Sequence, residues 1–402
     1  MAETPTPAPA AVRLTWLDGM KGISILWIAF FHFYTAYTNG RYPNPLAADY
    51  FSLFIAQCAP SSPLGTLGCV AHGFYTAVAS VGFHAVAVFL VLSGFGLTYS
   101  LAKTGNPEDG WLGWYRGRVL RLYPMYWVAH LVYLVSPFVV RYEPVDYRFF
   151  LSFLGDRIYP VDSIFYYVNP AWWYFGLLIQ LYLVFPLLFR LLQKLGPIGF
   201  LVVCGVVTFG SRYLLLLVLS ANGYYVQGAF FGARLWEFAF GMVLGLLYRR
   251  LPGEIEHRLF SFPIIVAGVV VYVLGLYSYA TIRTYIFNDA LIGTGLFVIL
   301  AHIARWCDLL PRLGATLAYV GAFSYGLYLL HQPYVLYFAE RMRDLNEALA
   351  SVLGGVIIAV LTCLAIPLER HVNQLTNRIL DRKRAKEVIS RQLSVVSEKS
   401  SQ

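Results

Sequence analysis

Apolar residues run in long stretches along this chain, and short polar segments separate them. Neither the period-two alternation of a half-buried strand nor the polar stripe of a surface helix breaks these stretches up. A helix that crosses hydrocarbon needs about 20 mostly apolar residues. Ten stretches meet or approach that length: about 22–41, 78–101, 123–140, 171–192, 197–219, 233–248, 262–281, 288–304, 315–338 and 350–369. The sixth and eighth are short, as tilted or broken spans are. The pattern predicts an all-α protein, a polytopic integral membrane helix bundle of about ten transmembrane helices.

An even number of spans puts both ends on one side, and the basic residues name that side. Residues 1–21, the loops 102–122, 190–196, 249–261 and 305–314, and the tail after 369 hold 21 of the 30 Lys and Arg residues. These loops are short, the regime in which basic residues mark the inner face. Both termini are expected in the cytoplasm. Residues 1–12 are Pro/Ala-rich and expected to be disordered. Residues 13–370 form one membrane domain without repeat or linker, and 371–402 read as a basic cytoplasmic tail on the membrane surface. The first span lacks a basic leader and is too long for a signal-peptide core, so it should remain as an anchor.

Composition agrees: 58% of residues are hydrophobic and 13% charged, against about 25% charged in soluble domains. Disorder, nucleic-acid binding and a soluble enzyme are excluded, and the net charge of +9 follows from the inner loops. Five cysteines are too few for a disulfide scaffold, although Cys58 and Cys69 share the first outer loop. An oxidising compartment would let those two pair. No zinc-type spacing occurs.

Ionisable groups inside a bilayer are costly, so each is a candidate for function. His32 lies deep in the first span, and Lys21 sits eleven positions earlier. Eleven steps of about 100° end roughly 20° past three turns, so the two share one helix face with a rise of about 16 Å. A ligand with an anionic head and a buried reactive end fits that pair; so do a snorkelling lysine and a packed histidine. Arg116, Arg118 and Arg121 precede Pro124 and suit a phosphate, although topology alone places cations there.

Ser93 and Gly94 interrupt the second span, where small residues ordinarily permit close helix packing. Ser324 and His331 are seven residues apart, about two turns, so both face one cavity. The fourth span holds Trp172, Trp173, Gln180 and Tyr182; its tryptophans suit an interfacial belt and its glutamine is buried. Glu237 is the best carboxylate candidate, with Arg234 three residues earlier to neutralise it.

Taken in order, these strings resemble the membrane acyltransferase-3 family over roughly residues 13–370. WLDGMKGISILWIAFFHFY is similar to its opening helix, and VFLVLSGFGL to its second-helix signature at Phe89, Ser93, Gly94 and Phe95. RVLRLYPMYW matches its R-x-x-R-x-x-P element at Arg118, Arg121 and Pro124. WWYFGLLIQLYLVFPLL resembles its aromatic fourth element, ending in Tyr182 and Pro186. EFAFGMVLG and SYGLYLLHQPYV match later elements at Glu237, Gly241, Ser324, Tyr325, Tyr328, His331 and Pro333. The chain departs from the family at Lys21, where many members have Arg, at Ala87 for an acidic residue, and near Gln180 for a Glu.

The resemblance implies transfer of an acyl group, usually acetyl from acetyl-CoA, to a hydroxyl of a carbohydrate or glycolipid, in a bacterial inner membrane. Lys21, Arg116, Arg118 and Arg121 would hold the donor's phosphates. His32, Lys21, Ser93 and Tyr325 would form the catalytic group, with His32 as general base or acyl carrier. Tyr325, Ser93 and Gln180 are the candidates for steadying the oxyanion. Trp172, Gln180, Tyr182, Glu237 and His331 would contact substrate. No metal or prosthetic group is expected, and a homo-oligomer is neither required nor excluded. The competing reading is a transporter of the acyl donor or a glycolipid, because a buried His and Lys among Gly-broken spans suit a substrate pathway. An enzyme consumes the thioester; a transporter returns it unchanged.

Overall fold

The computed structural model describes residues 14–58, 65–102, 104–140 and 143–400, with side chains as far as Leu380. The predicted disordered segment 1–12 and the side chains of the basic tail beyond Leu380 lie outside the described residues. Helix α1 (Thr15–Thr38) leads through α2 (Tyr50–Cys58) and α3 (Gly65–Ser80) to α4 (Ala85–Leu101) and α5 (Gly110–Val135). Short α6 (Tyr147–Leu154) and α7 (Val161–Ile164) precede the long α8 (Trp173–Tyr213). Then come α9 (Leu235–Arg250), α10 (Pro252–Leu259), α11 (Phe262–Tyr277), α12 (Asn288–Cys307), α13 (Pro311–Ala322), α14 (Ser324–Arg341) and α15 (Glu347–Ser400). No strand occurs among the described residues. The protein is all-α, as the hydropathy pattern predicts.

Each of the ten predicted spans falls on a helix, but fewer stand out as crossing segments. By length and composition, six stretches of the described residues qualify: Gly65–Leu101, Pro170–Val218, Phe231–Arg250, Phe262–Ala280, Thr284–Cys307 and Glu347–Leu380. The fourth and fifth predicted spans share one of these, because α8 carries both and breaks only at Gly196 (φ 70°), just before Pro197. Helices α13 and α14 qualify only as one span, bent by 80° between Ala322 and Ser324. Polar cargo explains the two remaining shortfalls: α1 carries Asp18, Lys21 and His32, and α5 carries Arg116, Arg118 and Arg121. The segment between the first and second predicted spans holds helices α2 and α3, which the Cys58–Cys69 disulfide joins.

Glycines set how closely the helices approach. A Cβ on Gly94 of α4 would lie 2.0 Å from the Phe238 carbonyl oxygen of α9, and one on Gly241 would lie 1.9 Å from that of Val91. Gly245 repeats the contact one turn on, against Phe95. Backbone packs on backbone here, and only hydrogen fits between. Helices α1 and α13 meet the same way, with Gly22 against the Leu317 carbonyl (2.1 Å) and Gly321 against that of Asp18 (1.8 Å). These two seams fix α1 and α4, whose free faces then border the space described below.

The seam yields a stability prediction. Gly241→Ala should destabilise the purified protein by about 1–3 kcal/mol or more, because the new methyl meets unyielding backbone. Gly96→Ala, whose methyl would meet nothing within 4 Å, should leave the midpoint unchanged or raise it slightly, because alanine is the better helix former. Thermal unfolding in detergent, read by intrinsic fluorescence, compares the two.

Candidate active site

Helices α1, α4, α5, α8, α14 and α15 enclose a cavity of about 760 Å³. Its open, basic end is lined by Lys21, Arg118 and Arg121, together with Asn373 and Asn377 of α15. Arg118 stacks over the Trp114 ring at 5.5 Å, and its buried Nε has no hydrogen-bond partner. Lys21 pairs with Asp18 at 3.0 Å, so its ammonium is held at the start of α1. Ser93, Tyr174, Tyr182, Tyr325 and Tyr328 form the walls.

Two imidazoles mark the deep end. The rings of His32 and His331 lie 5.3 Å apart between centroids, and both residues line the cavity. His331 is fully buried, and its Nδ1 lies 3.1 Å from the Leu327 carbonyl and 2.9 Å from that of Tyr328. Its buried Nε2 has no partner. His32 Nδ1 lies 3.3 Å from Nε2 of Gln332, the neighbour of His331. A cationic mouth thus leads to paired imidazoles about three turns deeper along α1, a rise of about 16 Å.

The acyltransferase domain model of the acyltransferase-3 family matches residues 14–367. The chain belongs to that family. This acyltransferase is therefore an integral membrane enzyme that transfers acyl groups. Comparison with curated proteins and with solved structures returns no match.

The acyltransferase brings most of the predicted site residues to one cavity: Lys21, His32, Ser93, Arg118, Arg121, Tyr182, Tyr325 and His331. Four others lie outside it. Arg116 is exposed on another face of α5, two residues and about 200° from Arg118, and borders a separate apolar groove with Trp127. Trp172 donates its Nε1–H to the Leu329 carbonyl at 2.9 Å, beside Asn169 Nδ2 at 3.0 Å. Gln180 bridges a broken stretch before α9, donating to the Gly228 carbonyl at 3.3 Å and accepting from the Phe231 amide at 3.1 Å. Glu237 is fully buried against Arg234 at 2.7 Å, and Arg234 reaches Asp289 (3.2 Å), which also pairs with Arg212 (2.5 Å). Two guanidiniums and two carboxylates balance there and tie α8, α9 and α12 together.

Among the hydroxyls proposed for the oxyanion, two are already engaged. Tyr325 donates to the Leu122 carbonyl at 2.9 Å, and Ser93 donates to that of Phe89 at 2.8 Å. Tyr174, absent from the sequence-based set, approaches Ser93 at 3.3 Å within the cavity wall. Other lining residues outside the predicted site set include Ser100, Trp173, Tyr328, Glu369, Asn373 and Asn377. The i, i+4 spacing of Asn373 and Asn377, facing one way from a basic tail, was the available signal. Among the described residues no group of three or more His, Cys, Asp or Glu side chains is placed to hold a metal ion.

The Leu329 carbonyl supplies a prediction for this region. Trp172→Phe removes one of its two donors and should cost about 1 kcal/mol of stability. The Trp172→Phe, Asn169→Ala double variant removes both and should cost more than the two single losses together, because the carbonyl is then buried without a partner. A double-mutant cycle of thermal unfolding measures the excess.

Proposed function

We propose that this acyltransferase moves an acyl group, acetyl by default, from acyl-CoA to a hydroxyl of a carbohydrate or glycolipid, working as an O-acyltransferase in a bacterial inner membrane. The observation that carries the reading is the cavity itself, with cations at its mouth and imidazoles at its closed end. Acyl-CoA has the matching shape: an anionic phosphorylated nucleotide, a long flexible arm, and a thioester at the tip. Lys21, Arg118 and Arg121 would hold the phosphates, and the unspent Nε of Arg118 offers a charge-assisted hydrogen bond. Asn373 and Asn377 add neutral polar groups at the same mouth. The arm would lie between the tyrosine walls and bring the thioester carbonyl to the imidazoles.

The Lys/Arg distribution supports placing the basic mouth in the cytoplasm, where acyl-CoA is made. The Cys58–Cys69 disulfide at the other end supports an oxidising outer face. A carbohydrate acceptor rests on the family resemblance together with the many hydroxyl and aromatic groups around the imidazoles.

The test is thiol release from acetyl-CoA by the purified protein in lipid, with a glycan extract of the host as acceptor. Wild type should release thiol, and His32→Ala should be at least about 100-fold slower. Arg118→Ala should raise the KM for acetyl-CoA about ten-fold with little change in kcat, the loss of one charge-assisted contact. Return of all the thioester unchanged, with glycolipid or donor moved across the bilayer, would overturn the enzyme reading in favour of transport.

A further inference from the structure

The two deep imidazoles differ in hydrogen-bonding character. Carbonyl oxygens only accept hydrogen bonds, so the contacts of His331 Nδ1 with Leu327 and Tyr328 place its proton there. Its Nε2 then carries a lone pair, buried and unpartnered beside the cavity. An amide nitrogen only donates, so Gln332 Nε2 makes His32 Nδ1 an acceptor and leaves the hydrogen of His32 on Nε2. One ring offers a base and its neighbour, 5.3 Å away, offers a donor.

The geometry points to a division of labour that rests on the acyl-transfer reading: His331 Nε2 is the proton acceptor, and His32 Nε2–H, set by Gln332, is the oxyanion donor. The acceptor hydroxyl oxygen attacks the thioester carbonyl carbon, forming a C–O bond, while its proton passes to His331 Nε2. The carbonyl electron pair moves onto oxygen, and the His32 N–H donates to that oxyanion without being transferred. On collapse the C–S bond breaks with its electron pair on sulfur, and the proton on His331 passes to the thiolate. Ester and free thiol leave, and both imidazoles return to their starting tautomers. His32 stays neutral throughout, as an electrophilic imidazole can. The general-base role that the family resemblance implies for His32 passes to a residue on another helix, and no acyl carrier is needed. Gln332 is a positioning residue, acting only through the tautomer of His32.

Glutamine replacements separate the roles, because a glutamine amide can donate where histidine Nε2–H donated but cannot take up a proton. His32→Gln should retain activity within about 30-fold of wild type while His32→Ala loses about 10²–10³-fold, the range for an oxyanion donor. His331→Gln should be as inactive as His331→Ala, each down about 10²–10⁴-fold, the range for a general base. Gln332→Leu should lower kcat a few-fold at constant KM, and should add nothing in the His32→Gln background, where no tautomer remains to be set. Acetyl-CoA binding by equilibrium dialysis, unchanged in every variant, shows that each is folded. Activity retained by His331→Gln but lost by His32→Gln would overturn the assignment by reversing it. Equal retention by both would overturn it as well, since neither ring would then be needed as a base, and equal loss by both would also overturn it, as expected if the Gln332 amide were turned and both rings presented a lone pair. Either failure leaves thiol release by wild type intact, whereas a wild type that releases no thiol from any acyl-CoA removes the acyl-transfer reading and this assignment with it.

Discussion

A single backbone carbonyl organises much of this site. Pro333 has no amide hydrogen, so the Leu329 carbonyl one turn earlier loses its helical partner. Inside a bilayer no water can replace that partner, and an unsatisfied carbonyl costs several kcal/mol. Trp172 and Asn169 supply it instead, which docks the start of α8 onto the middle of α14. At the other end of α14, past the 80° break, the Glu369 carboxylate accepts from the Gly326 amide at 2.7 Å and docks α15. The groups that repair a broken helix are therefore also the groups that assemble three walls of the cavity. His331 lies two residues past the Leu329 carbonyl and two before Pro333, in the stretch of α14 that these contacts anchor.

The cavity also needs helices that do not collapse into it. Helix α4 is drawn against α9 by backbone contact at Gly94, Gly241 and Gly245, and α1 against α13 at Gly22 and Gly321. Packing on those faces leaves Ser93 and Gly96 of α4 and Lys21 and His32 of α1 turned to the open side. The buried Arg212–Asp289–Arg234–Glu237 group serves the same end from a distance. Breaking a buried ion pair by deleting one partner is far more costly than the pair is worth, so such a group holds α8, α9 and α12 in one arrangement. Its charge is spent internally, which is why Glu237 is unavailable to a substrate even though it is an intramembrane carboxylate.

The fold class was open to a reader of the sequence, because hydrocarbon imposes helix length and apolarity directly. Lys21, His32, Arg118 and His331, each picked out as an ionisable group in or beside a span, all reach the cavity. Residues whose polarity answers a local backbone problem were misleading. Trp172 serves a carbonyl freed by a proline 161 positions later, and Gln180 spans a helix break 48 residues on, distances no periodicity reports. The tautomers of the two histidines were equally invisible, since they depend on which oxygen or nitrogen lies within about 3 Å. Tyr325 had the right position but a committed hydroxyl.

Depth explains why such a pair would be built from buried residues. A thioester is attacked by water as well as by a sugar hydroxyl, and water is the more abundant nucleophile at any open surface. His331 is fully buried, and the cavity wall combines aliphatic side chains with Phe89, Trp173 and four tyrosines. A base so placed meets only nucleophiles admitted to the closed end. The low dielectric there strengthens a donor aimed at a developing oxyanion, since no solvent competes for it. The cations cannot share that space, because an unpaired charge beside the imidazoles would be costly to bury. The position of Lys21, a rise of about 16 Å from His32 along α1, follows from this conflict. On the proposed reading the anionic end of the donor would be held near water while its thioester reacts away from it, with one helix bearing Lys21 and His32 on a common face setting both depths.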